Sequence, residues 1–251
     1  MKKKEQEKVR IISLGGLGAV GGNMMLLEYR DEMLIIDCGI MFPSDDMPGV
    51  DLIIPDFSYV IKNRKRLKAI IVTHGHEDHI GAIPFLLQEV TAPIYATRLT
   101  IGLIQSRLAE RKPREEPVFM EIVPRDLVHI GSFAVEFIRV NHSIIDGVGL
   151  AIQTPVGIII HSGDFKIDHS PVDGKVADLH RFGDYGQQGV QLLMGDSTNA
   201  ERKGYTRSES VLKDKLIDIF SGCKGRIIVA TFASNIHRIQ QVLDAASRYN
   251  R

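Results

Sequence analysis

Residues 69–73, Ala-Ile-Ile-Val-Thr, form an apolar, β-branched run that stops abruptly at His74-Gly-His-Glu-Asp-His79. A run this short, with no polar face to offer solvent, predicts a strand buried on both sides. Such strands belong to layered α/β folds, and a polar loop at the end of one lies where those folds place their chemistry.

The flanking pattern agrees. Residues 9–14, 24–29 and 33–37 read as strands, with Arg30, Asp31 and Glu32 as a hairpin turn. Segments 80–90 and 99–110 carry helical apolar spacing around a short strand at Ile94 and Tyr95, and 118–161 returns to strand character at 118–123, 132–140, 148–154 and 157–161. A strand at 190–196, a helix at 208–222, a strand at 225–232 and a helix at 235–250 follow, a βαβα alternation able to open a second domain.

Composition excludes several classes. With 44% hydrophobic residues and 31 Lys+Arg against 31 Asp+Glu in 251 residues, the chain is neither a disordered tail nor a uniformly basic nucleic-acid coat. Any site for a polyanion must therefore be local. Two cysteines, Cys38 and Cys223, cannot build a disulfide framework and fit a reducing compartment. After the charged segment 1–8 the apolar stretch is broken by glycines, so neither a signal sequence nor a membrane span is expected; the expected location is cytoplasmic.

Gly16–Gly21 spells G-x-G-x-x-G after a strand, with Asp37 at about the place of a ribose-binding acid in a dinucleotide fold. Gly22 falls in what would be the first helical turn, and 24–37 reads better as a hairpin than as helix, turn and strand. The alternative, favoured here, is a glycine-rich turn that lets backbone approach a neighbouring site.

His74, His76, Asp78 and His79 make the pattern H-x-H-x-D-H. Three imidazoles and a carboxylate in one loop are far more than a helix cap requires, and they are ligand types that zinc and manganese accept. His142 and Asp164 each follow an apolar strand and can reach the same sheet edge. The expected division gives His74, His76 and His142 to one ion and Asp78 and His79 to a second, with Asp164 bridging, as in two-metal hydrolases.

Together with these, the segments GGLGAVGGN, LIIDCG, VTHGHEDHIGAIP, NHSI, HSGDFK, MGDSTNAE and ATFASNIHRIQQV make the chain resemble the metallo-β-lactamase superfamily. Within it the likeness is to the beta-CASP nuclease branch and to its bacterial ribonuclease J members, from about residue 9 onward. The resemblance implies an αββα sandwich over 9–207 and the beginning of an inserted beta-CASP α/β domain at 208–251. It implies two divalent ions, Zn2+ or Mn2+, and 5′ to 3′ exonucleolytic and endonucleolytic cleavage of RNA, with 5′-monophosphorylated single strands as substrate. A homo-oligomer is implied for the full-length protein. Asp37 matches an acid beside the metal site, and Asp196 the first acidic beta-CASP motif. Ala19 stands where an acid is common in the family, and Arg251 falls soon after the beta-CASP domain would begin, so a first portion of a longer enzyme is expected.

In that scheme Asp78 and Asp164 orient the attacking water, while Asp196 holds a ligating histidine or shuttles a proton. Ser197 and Asn199 are candidate phosphate contacts, or parts of a capping loop; Asn235 and His237 are candidate RNA contacts, or simply the start of the last helix. Two other classes remain open: a small-molecule metallo-hydrolase, which leaves MGDSTNAE and ATFASNIHR unexplained, and a non-catalytic RNA-binding or assembly fragment.

Overall fold

A computed structural model describes residues 7–251, so residues 1–6 of the charged segment 1–8 lie outside the described residues. Strands β1 (Val9–Gly15), β2 (Met24–Tyr29) and β3 (Glu32–Ile36) pair antiparallel in succession, with Arg30 in the left-handed region at the β2–β3 corner. The glycine run at 16–22 thus joins two antiparallel strands. A dinucleotide motif needs a helix at that point to face the phosphates, and this topology overturns that reading.

After α1 (Ser58–Lys62), β4 (Leu67–Ile71) adds parallel to β3. Two short helices, α2 (Glu77–Ile80) and α3 (Ile83–Leu86), stand where one helix over 80–90 was expected. The break falls where Ala82 N–H is drawn to the Cys38 carbonyl at 2.9 Å and where Pro84, with no N–H to give, starts the next turn. Strand β5 (Ile94–Ala96), helix α4 (Arg98–Glu110) and strand β6 (Phe119–Glu121) complete a six-stranded sheet in sequential order.

The second sheet is a meander of β7 (Leu127–Ile130), β8 (Phe133–Arg139), β9 (Val148–Thr154) and β10 (Gly157–His161). Helix α5 (Leu179–Gln188) then returns the chain to β11 (Val190–Met194), parallel to β10 at the sheet's edge.

Period-two alternation explains the layering. Leu27, Leu34, Ile36 and Ile71 meet Phe133, Val135, Phe137 and Leu150 between the sheets. Their neighbours Leu26, Met33, Ile35 and Ile70 point the other way, onto Val60, Ile83, Leu86 and Ile104 from the helices. On the far side, Ile138, Ala151 and Ile160 pack against Tyr185 of α5. The result is the four-layer αββα sandwich, each fully buried aliphatic side chain contributing about 1.5–3 kcal/mol.

Beyond it, α6 (Val211–Gly222) and α7 (Ile236–Arg248) pack on each other. The strand expected at 225–232 does not form: among the described residues no strand lies alongside to complete its ladder, and Ile228 and Phe232 are 88% and 85% exposed. Among the described residues no helix is long and apolar enough to cross a membrane.

Candidate metal centre

Five polar segments gather at one rim because the strands preceding them run the same way within each sheet. Asp37 follows β3, His74–His79 follow the parallel β4, His142 and Asp164 follow β8 and β10, and Asp196 follows β11.

Backbone hydrogen bonds hold the histidine loop. Cys38 N–H donates to the His79 carbonyl at 2.8 Å, Ile40 N–H to that of Glu77 at 3.1 Å and Asn23 N–H to that of Asp78 at 3.0 Å. The approach is so close that a Cβ on Gly39 would lie 1.6 Å from the Asp78 carbonyl oxygen, so no side chain fits there. Gly22 N–H ties the glycine run to the Ile40 carbonyl at 2.8 Å, consistent with a turn that lets backbone come near a site.

The donor atoms converge. His74 Nε2 is 3.0 Å and His142 Nε2 3.1 Å from His76 Nδ1. Asp164 Oδ2 lies 3.4 Å from His79 Nε2 and 3.7 Å from His142 Nε2. Ligand atoms around a tetrahedral ion with bonds of about 2.0–2.1 Å stand about 3.3 Å apart, so these separations suit a shared cation. The His76 nitrogen carries either one proton or one in-plane lone pair, so it makes a well-aligned hydrogen bond with only one of its two neighbours. Two sets satisfy the geometry, His74–His76–His142 and His74–His79–Asp164. The second differs from expectation in taking His74 where Asp78 was expected; Asp78 Oδ2 stands 3.6 Å from His79 Nε2, and Asp164 touches both sets.

Electrostatics fit the same reading. Burial pushes the His74 imidazole well below its usual value, aided by the adjoining histidines. Burial also lowers His76 and brings His142 to about 4. Neutral imidazoles offer lone pairs to a cation instead of charge. His79 is the exception: burial opposes its cation, yet Asp37 and Asp164 outweigh it and raise the pKa to about 10. Burial likewise opposes the Asp164 anion, but His79 and the other imidazoles leave that carboxyl below its usual range. A divalent ion would take the place of the His79 proton.

Behind the ligand candidates, Asp37 is 1% exposed and takes hydrogen bonds from Thr73 N–H at 2.8 Å, from Thr73 Oγ1 at 2.9 Å and from His79 Nδ1 at 2.8 Å. Asn23 Nδ2 donates to the Asp78 carbonyl at 3.1 Å and to Asp78 Oδ2 at 3.3 Å. Neither Asn23 nor Thr73 stood out in the sequence, although Asn23 closes the glycine run and Thr73 closes the apolar one.

Asp196 accepts Phe165 N–H at 3.3 Å and Thr198 N–H at 2.8 Å, and makes no hydrogen bond to an imidazole among the described residues. It thereby braces the segment that carries Asp164. A cleft of about 700 Å³ opens over the centre, lined by the 15–21 loop, Asn23, Asp78, His79, Asp164, Asp196 and Ser197. Asn199 is exposed, with φ 61°, in the loop beyond. Asn235 accepts Arg238 N–H at 3.1 Å as the cap of α7, and His237 borders a separate small pocket with Arg139, His142 and Lys166.

Comparisons with known proteins converge on one family. The model of the metallo-β-lactamase superfamily matches residues 17–195, and that of the ribonuclease J beta-CASP domain matches 224–251. A ribonuclease J from Synechocystis sp. is 45% identical over all of this chain and 39% of its own length. One from Thermus thermophilus is 47% identical over 98% of this chain and 44% of its own. The chain thus spans about two fifths of the length of these relatives. Among solved structures, a protein of unknown function from Enterococcus faecalis aligns with a TM-score of 0.67 at 17% identity, covering 95% of this chain and 63% of that one. Human tRNase Z, short form, aligns at 0.51 and 17% identity, covering 82% and 86%. Both likenesses speak for the fold.

Proposed function

Because the chain belongs to the metallo-β-lactamase superfamily and is similar along its whole length to ribonuclease J proteins, we propose that it carries the metal-binding half of an RNA-hydrolysing active site. The native protein would be a cytoplasmic ribonuclease, homo-oligomeric, acting on 5′-monophosphorylated single-stranded RNA exonucleolytically and endonucleolytically. Residues 9–207 would form the metallo-β-lactamase domain and 208–251 the first part of the beta-CASP domain. The observation that carries the reading is the meeting of His74, His76, His142, His79 and Asp164 donor atoms beside an open cleft that His79 and Asp164 line.

His74, His76 and His142 would hold one ion; His79 and Asp78 would hold the second, with Asp164 between. Zinc or manganese bound there supplies Lewis acidity and makes water acidic enough to act as a nucleophile near neutral pH. Asp164 and Asp78, partly open to the cleft, orient that water by accepting its hydrogens. Asp37 takes the His79 Nδ1 proton in a hydrogen bond, which turns Nε2 toward the ions. Asp196 fixes Phe165 N–H and so the direction of Asp164, and its place in the cleft wall suits it to receive the proton released on attack. Ser197, also in that wall, is within reach of a phosphate; Asn199, Asn235 and His237 would meet RNA only farther along its path.

The test is a substrate panel given to the native protein in zinc or manganese: 5′-monophosphorylated RNA, a thioester and a lactam. Turnover of RNA alone is expected. Turnover of the thioester or lactam with RNA intact would instead favour a small-molecule hydrolase.

A further inference from the structure

Thr73 lies two residues beyond β4 and is 1% exposed, wedged where the two sheets meet beneath the metal centre. Its carbonyl accepts Val148 N–H from β9 at 3.0 Å and its N–H donates to the Asp37 carboxylate at 2.8 Å, so both of its main-chain polar groups are held. Its hydroxyl lies 2.9 Å from Asp37 Oδ2 and 3.0 Å from His74 Nδ1.

A hydroxyl has one hydrogen and two lone pairs. Asp37 takes that hydrogen, since a carboxylate only accepts. Toward His74 the oxygen must therefore accept, which puts the imidazole proton on Nδ1 and leaves the Nε2 lone pair facing His76, 3.0 Å away. His79 Nδ1 donates to the same Asp37 oxygen at 2.8 Å. One carboxylate thus sets two imidazoles, His79 directly and His74 through a hydroxyl.

We propose that Thr73 is a positioning residue of the metal centre, its hydroxyl relaying the Asp37 carboxylate to His74 and fixing the ring nitrogen that His74 presents to the ions. The inference rests on the proposed metal centre. His74 is common to both candidate ligand sets, so the relay bears on whichever ion its single Nε2 lone pair meets. Removing a partner of this kind weakens metal affinity about 10–100-fold.

The test compares Thr73→Val, which keeps the shape and loses the hydroxyl, with Thr73→Ser, which keeps the hydroxyl and loses the methyl. Zinc affinity is read by chelator competition, and the His74 tautomer in the metal-free protein by long-range 15N–1H spectra. The expected result is a 10–100-fold weaker zinc affinity and a mixed His74 tautomer in Thr73→Val, with Thr73→Ser within about threefold of wild type. Wild-type affinity in Thr73→Val, or equal losses in both variants, would overturn the relay. Wild-type protein that takes up no zinc would instead overturn the metal centre beneath it.

Discussion

Asp37 and His79, 42 residues apart, meet at 2.8 Å beneath the cleft, the carboxylate oxygen on the imidazole Nδ1, both side chains 2% exposed. Neither strand end makes this contact alone. It arises because β3 and β4 are parallel neighbours, so Asp37, just beyond β3, meets the short helix α2 that the loop after β4 carries back beside it. Asp37 adopts φ 59°, a left-handed conformation that costs on the order of 1 kcal/mol and turns its carboxylate inward.

Asp37→Asn keeps the size of the side chain and removes its charge. Zinc affinity should fall about 10–100-fold, because neither His79 nor Thr73 then has an ionised acceptor. Chelator competition measures it.

Gly39→Ala sets a methyl against the Asp78 carbonyl, with no flexible side chain to yield. The histidine loop must move. Stability should fall by about 1–3 kcal/mol in urea titration, and metal uptake should weaken with it.

Asn23→Ala removes the amide that holds both the carbonyl and the carboxylate of Asp78. The amide also lies 3.1 Å from His79 Nε2, so the loss should be about 1 kcal/mol of stability, with zinc affinity and RNA turnover falling together.

The outer face of the second sheet sets a pH dependence unrelated to the site. Glu136, 4% exposed, accepts both Arg181 Nε and Nη2 at 2.7 Å and the Tyr185 hydroxyl at 2.5 Å. Arg181 foremost, and Tyr185, hold its carboxyl below the usual 4.5 despite burial. A depressed pKa means stability that is present above the unfolded value and lost as pH falls through the folded one. Unfolding temperature should therefore drop below about pH 4.5, and Glu136→Gln should flatten that slope without altering zinc uptake.

The candidate metal loop stood out because three histidines and an aspartate within six residues concentrate ligand atoms far beyond the needs of a turn or a helix cap. The layered fold was legible because buried strands leave continuous apolar runs. Helix α5 was not legible: Gly183 and Gly186 depress its propensity, and only packing of Phe182 and Tyr185 on the second sheet reveals its apolar face. The strand expected at 225–232 failed for the opposite reason, since β-branched residues favour a strand only where a neighbour completes the ladder. Thr73 and Asn23 escaped notice because a lone hydroxyl or amide carries no pattern; their roles come from contacts across the fold.

The most direct measurement is RNA cleavage by the native protein and by His74→Ala, with metal content counted in the same samples. His74 is the ligand common to both candidate sets, so the account predicts that the variant loses metal and RNA cleavage together. A His74→Ala protein that is depleted of metal and still cleaves RNA at the wild-type rate would contradict it.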